Sequence, residues 1–161
     1  MKVFQLKASR AVLNLSVRDI GGYIGVSGTA VSSWESKDIH LDVNTSEQNI
    51  KMLEQFFMIK SVFFSDESSI TLNESNAETR NNNPKSLTRF QLRGGRAILG
   101  INRKDLAHLA QIDQYVITRA ERLENKEYIR PKDHLVPSKI KCIFTQHGIF
   151  FPSPFSISIK L

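Results

Sequence analysis

The chain carries its own sequence twice. Residues 4–35, FQLKASRAVLNLSVRDIGGYIGVSGTAVSSWE, align without a gap on residues 90–121, FQLRGGRAILGINRKDLAHLAQIDQYVITRAE, at an offset of 86. Eight of these 32 positions are identical: Phe4/Phe90, Gln5/Gln91, Leu6/Leu92, Arg10/Arg96, Ala11/Ala97, Leu13/Leu99, Asp19/Asp105 and Glu35/Glu121. Most other apolar positions stay apolar. After a one-residue slip the match resumes, with Phe57, Val62, Phe63 and Phe64 facing Phe144, Ile149, Phe150 and Phe151. A repeat of this kind sets the architecture ahead of any local pattern, because each copy is a structural unit with its own apolar face to bury.

Two similar small domains are therefore expected, over residues 1–72 and 87–161, joined by a polar linker over 73–86. Each copy, at roughly 70 residues, is near the lower size at which a chain folds unaided, so contact between the copies is favoured. The linker, NESNAETRNNNPKS, has no large apolar residue and is rich in Asn, Ser and Glu. As a flexible coil it averages roughly 20 Å end to end and extends to about 45–50 Å.

Charge separates the copies. The formal net charge is +6, but residues 1–80 hold 8 Lys+Arg against 10 Asp+Glu, a balance of −2, whereas residues 81–161 hold 14 against 6, a balance of +8. A basic half with few acidic groups favours a polyanionic partner, most simply nucleic acid. No run approaches the 18 apolar residues of a membrane span, and the N-terminus MKVFQLKASR lacks a signal peptide's apolar core and cleavage site, which predicts a cytoplasmic protein with no membrane segment.

Enzymatic and metal chemistry find no footing. The single cysteine, Cys142, excludes an internal disulfide and a cysteine-rich metal cluster, and its neighbours Ile140, Ile143 and Phe144 predict a buried structural thiol. His40, His108, His134 and His147 show no paired ligand spacing, so neither metal nor cofactor is expected. Gly21-Gly22 and Gly94-Gly95 fall where helices are expected, the wrong context for a phosphate loop. No nucleophile and base converge, and the chain reads as no enzyme.

Each copy reads as several short helices and then a hairpin. In the first, a helical apolar pattern covers residues 4–14; Ser16 caps a second helix over 17–24; Gly25-Val26-Ser27 turns into a third over 28–35; and a fourth spans roughly 46–59. The second copy repeats this with Asn102 capping 103–110, the turn Gln111-Ile112-Asp113, a helix over 114–121 and another over roughly 138–147. Apolar runs at 61–64 and 70–72, and at 149–151 and 155–159, suggest the hairpins. The fold class is mainly α. Seven phenylalanines (Phe56, Phe57, Phe63, Phe64, Phe144, Phe150 and Phe151) lie at helix and strand spacings outside the third helices, which assigns them to packing rather than to a stacking platform for single strands.

Two short capped helices, a small residue in the first (Gly21, Ala107) and an apolar residue in the three-residue turn (Val26, Ile112) make the helix-turn-helix pattern. On these residues both copies resemble the lambda-repressor-like, or xenobiotic-response-element, family of DNA-binding domains, through LSVRDIGGYIGVSGTAVSSWE and INRKDLAHLAQIDQYVITRAE. The resemblance implies that an arginine of the first helix pairs with a glutamate ending the third, and both copies keep such a pair, Arg10 with Glu35 and Arg96 with Glu121. It also implies a glycine in the left-handed position of the turn, which the first copy has as Gly25; the second copy departs from it with Gln111, at a cost on the order of 1 kcal/mol.

The third helix of such a motif is the reading helix. In the first copy it presents Gly28, Thr29, Ser32 and Ser33, which are short; in the second it presents Gln114, Tyr115, Thr118 and Arg119, with Gln able to bridge adenine and Arg able to bridge guanine. Phosphate contacts are expected from Asn102, Arg103, Lys104, Arg122, Lys126, Arg130 and Lys132 in the second copy, and from Arg18 and Lys37 with His40 in the first. The expectation is a sequence-specific regulator of transcription that binds a double-stranded DNA operator, a repressor rather than an activator. It is a homodimer in preference to a single-chain pseudo-dimer. The alternative is an antitoxin-type or adaptor protein whose acidic first copy grips a protein partner.

Overall fold

The computed structural model describes residues 1–73 and 86–160. Most of the expected linker lies outside the described residues. In the first half, helices α1 (Val3–Val12), α2 (Val17–Ile24), α3 (Gly28–Glu35) and α4 (Glu47–Ile59) precede strands β1 (Val62–Phe63) and β2 (Ser69–Leu72). The second half follows the same order with α5 (Arg89–Leu99), α6 (Arg103–Ala110), α7 (Gln114–Ala120), α8 (Val136–Gln146), β3 (Ile149–Phe150) and β4 (Ser156–Ile159). The fold is thus mainly helical, with one small antiparallel sheet.

Capping sets the helix starts. Ser16 and Asn102 each accept a hydrogen bond from the backbone N–H three residues on, and Asp19 and Asp105 each accept one from the cap's own N–H, so the identical aspartates close equivalent boxes. Ser27, Asp113, Ser46 and Thr88 cap α3, α7, α4 and α5. Helix α8 begins two residues before its expected start, because Pro137 is well tolerated in a first turn. Helix α7 stops at Ala120, leaving Glu121 as its C-terminal cap.

The repeat is wider than the 32 aligned positions. Val3 and Phe4 donate backbone hydrogen bonds to Leu41 and Ile39, while Arg89 and Phe90 donate to Glu127 and Asn125; Val43 donates to Met1 as Ile129 does to Leu87. Each pair is related by the same offset, so the correspondence runs unbroken from residue 1 to residue 43.

The halves join through their hairpins. Strand order is β1-β2-β4-β3, all antiparallel, with Ile70 opposite Ile157, Ser69 opposite Ser158 and Thr71 opposite Ser156. After the one-residue slip, Ile70 and Ile157 are equivalent positions, so a pseudo-twofold axis passes between them, perpendicular to the sheet. Hydrogen bonds obey it: Leu72 N donates to Phe155 O at 2.8 Å, and Ile159 N to Ser68 O at 2.9 Å. Two-stranded hairpins are marginal alone, and here each completes the other.

Helices α1 and α5 lie antiparallel on this sheet. Gln5 Nε2 donates to the carbonyls of Asp66 and Ser69, and Gln91 Nε2 to that of Ser153, which explains why this polar residue survives in both copies. Gly94 brings α5 so close to β4 that a Cβ would meet Ile157 Cδ1 at 2.3 Å. Phe4, Phe57, Phe90 and Phe144 are fully buried, as are Ile70 and Ile157. The core is continuous across the axis.

One sequence expectation is corrected. Cys142 is exposed, not buried. On α8 the buried residues are Val136, Pro137, Ile140, Ile143 and Phe144; the helical period puts position 142 on the opposite face, although its neighbours in sequence are apolar.

Candidate nucleic-acid interface

The two α2–turn–α3 units are built alike. Gly25 and Gln111 both take the left-handed conformation, at φ +74° and +52°, and Val26 and Ile112 pack against the core beneath the turns. Gly21 is needed for close approach: a Cβ there would stand 2.5 Å from Val26 O. At the equivalent position the second half carries Ala107, which is buried.

Each third helix is anchored by its glutamate. Arg10 Nε and Nη2 donate to the two oxygens of Glu35, both at 2.6 Å, and Nη1 donates to Leu15 O at 2.8 Å. Arg96 repeats this on Glu121, at 2.6 and 3.1 Å, with Nη1 on Ile101 O at 2.8 Å. The fork ties the first helix, the start of the second and the end of the third together at three points.

The second half elaborates the anchor. Arg103 Nε also donates to Glu121, at 2.7 Å, so this fully buried carboxylate serves two guanidinium groups. Burial pushes its pKa up, but the hydrogen bonds from Arg96 and Arg103 outweigh that and hold it below the ordinary value. Arg103, expected as a phosphate contact, therefore spends its Nε on this pair while its side chain stays 43% exposed. Arg89, at the position of Val3, is almost completely buried; it donates to Val12 O at 2.8 Å, Asn14 Oδ1 at 3.0 Å, Glu121 O at 3.3 Å and Asn125 Oδ1, clasping one half to the other.

The candidate base-reading groups stand outward. Gln114, Tyr115 and Arg119 are exposed, Tyr115 at 66%, and Gln114 and Arg119 have no side-chain partner among the described residues. Thr118 is half-buried and donates its hydroxyl proton to Gln114 O at 3.1 Å, leaving only acceptor capacity. Thr29, Ser32 and Ser33 of α3 are exposed too, and the stem of Arg18 lies against Gly28, where a Cβ would meet its Cγ at 3.0 Å.

Of the candidate phosphate groups, Lys104, Arg122, Arg130 and Lys132 are exposed in the second half, as are Arg18 and Lys37 in the first; Lys126 is half-buried. Asn102 is exposed, with its side-chain oxygen engaged in the cap. Lys104 and Arg18 sit in the first turns of α6 and α2, where unpaired backbone N–H groups give a partial positive charge. The other cations follow the third helices in the chain.

Sequence reasoning passed over Lys7, Arg89 and Arg93. The 32-position repeat starts at Phe4, one residue beyond the Val3/Arg89 exchange, and a lone basic residue at 7 or 93 in a helix carries no sign of its surroundings.

No family model matches the chain, and neither does any curated protein or solved structure.

Proposed function

We propose that the chain is a sequence-specific double-stranded DNA-binding regulator of transcription, a repressor, built from two helix-turn-helix units of which the second is the main reader. The observation that carries this is the face of α7: Gln114, Tyr115 and Arg119 exposed on a helix held by a buried carboxylate, with Lys104, Arg122, Arg130 and Lys132 exposed beside it. A rigid helix offering bidentate groups between cations suits base edges flanked by phosphates.

Ile70 and Ile157, equivalent positions of the two halves, face each other in the sheet, which supports reading α3 and α7 as equivalent helices of one pseudo-symmetric chain. With the hairpins paired within the chain, one chain presents both helices to one duplex. The short side chains of α3 assign it a supporting part.

Fluorescence anisotropy against fragments selected from a random duplex pool tests the assignment. Arg119→Ala should cost about 1–3 kcal/mol and relax the preference at one base pair, whereas Lys126→Ala should weaken all sequences alike and lower the salt slope by about one unit. Unchanged affinity and preference in Arg119→Ala would remove α7 as the reader.

A second reading is favoured by Met58 and Ile59, which end α4 at 52% and 71% exposure, with Phe63 beside them at 38%. Such a patch on the acidic half suits an antitoxin-type role, with this half holding a protein while the other binds DNA. Gel shifts with and without co-purifying protein separate the readings.

A further inference from the structure

Helices α1 and α5 turn one face to the sheet, and the opposite faces border a groove of about 440 Å³ lined by Lys7, Arg10, Asn14, Arg93, Arg96 and Gly100, among others. The positions come in equivalent pairs, 7/93, 10/96 and 14/100, so the groove straddles the pseudo-twofold axis. Four cations border it. Two are neutralised, Arg10 by Glu35 and Arg96 by Glu121. Lys7 and Arg93 make no ion pair within 4.0 Å among the described residues.

Arg93 is an expensive residue to keep there. Its side chain is half-buried, and burial together with the like charges of Arg89, Arg96 and Arg103, against the opposing Glu121, lowers its pKa to about 10. Lys7 extends along the groove toward the end of α5, its Nζ 3.3 Å from where a Cβ on Gly100 would be. Across the repeat only three basic positions stay basic in both halves, 7/93, 10/96 and 18/104, and two of those pairs line this groove. The net charge moves from −2 to +8 between the halves, while these cations stay.

We propose that this groove is an anion site that takes a phosphate group, held between Arg93 and Lys7. The guanidinium fork fits tetrahedral oxyanions through paired hydrogen bonds, an ammonium adds a point charge, and the volume suits a pyrophosphate or a small phosphorylated molecule. The phosphate is either free or part of a duplex backbone lying over the axis. The site does not rest on the assignment of α7, because it is measured without DNA.

The test is a thermal melt of the full chain in inorganic pyrophosphate, against sodium chloride of equal ionic strength. Pyrophosphate should raise the midpoint saturably, and Arg93→Gln or Lys7→Gln should weaken the apparent affinity by about tenfold or more. Because Arg93 stands desolvated among like charges, Arg93→Gln should melt in chloride no lower than the parent chain. Arg93→Lys, which keeps the charge and loses the fork, should retain an intermediate response, and Lys51→Gln, on the exposed face of α4 outside the groove, should respond as the parent does. A response no greater than that of chloride, or one fully retained in Arg93→Gln and Lys7→Gln, overturns the proposal. Displacement of bound pyrophosphate by a short duplex assigns the site to the DNA backbone; simultaneous binding assigns it to a free phosphorylated ligand.

Discussion

Glu121 concentrates more of the second half's electrostatics than any other residue: it is fully buried, receives Arg96 and Arg103 through its carboxylate, and accepts from Arg89 through its backbone carbonyl. Glu121→Gln should therefore destabilise the chain by about 3 kcal/mol, at the lower end for a broken buried pair because Arg103 is half open to solvent. Glu35→Gln, which releases one arginine, should cost less; chemical denaturation of the two variants checks the order. The sign with pH follows from the lowered pKa of Glu121. Its contribution is complete above its ordinary value of 4.5 and is lost as pH falls through the depressed folded value. Denaturation between pH 6 and 2 should show a falling acid limb that is shallower in Glu121→Gln. At this scale the Arg–Glu pairs were legible in the sequence, because identical residues recurred at one offset. Arg103's share in the pair was not, since a residue in the first turn of a helix gives no sign of which neighbour it will meet. The exposed thiol of Cys142 is a similar case, where neighbours in sequence stood in for neighbours in space.

Elements were the most legible scale, and the reason is local. Caps such as Ser16, Asn102, Ser27 and Asp113 act within three residues of themselves, so helix starts are written in short strings. The turn between the second and third helices shows how the copies differ. Gln111 pays for a left-handed backbone that Gly25 adopts freely, so Gln111→Gly should raise stability by about 0.5–1 kcal/mol. Gly21→Ala should do the reverse, at about 1–3 kcal/mol, because its Cβ would press on the Val26 carbonyl, which cannot rotate away. Differential scanning calorimetry reads both, and a neutral Gly21→Ala would mean that the first turn relaxes to the spacing Ala107 tolerates. Strand positions were visible as apolar runs, but their partners were not, because β2 meets β4 across more than eighty residues of chain.

For the whole molecule, the shared sheet and the Arg89 clasp predict that the two halves unfold together. Urea unfolding should show a single transition whose m-value fits the full chain rather than a domain half its size, and Ile157→Asp should raise amide exchange in both halves, since Ile70 lies directly opposite. Light scattering should find a monomer, with or without a selected duplex. Two domains joined by a linker were the picture available from the sequence; that the hairpins would pair with each other was open, because a linker of that reach permits contact between chains as readily as within one. The axis between Ile70 and Ile157 has one further consequence. In a dimer of identical subunits every substitution is written on both sides at once, so a gain on one side that harms the other cannot be kept. Here both sides are spelled out separately in one reading frame, and each mutation lands once. That freedom permits an acidic half with short side chains on α3 beside a basic half with long ones on α7, and a duplex bound as proposed need not be a palindrome.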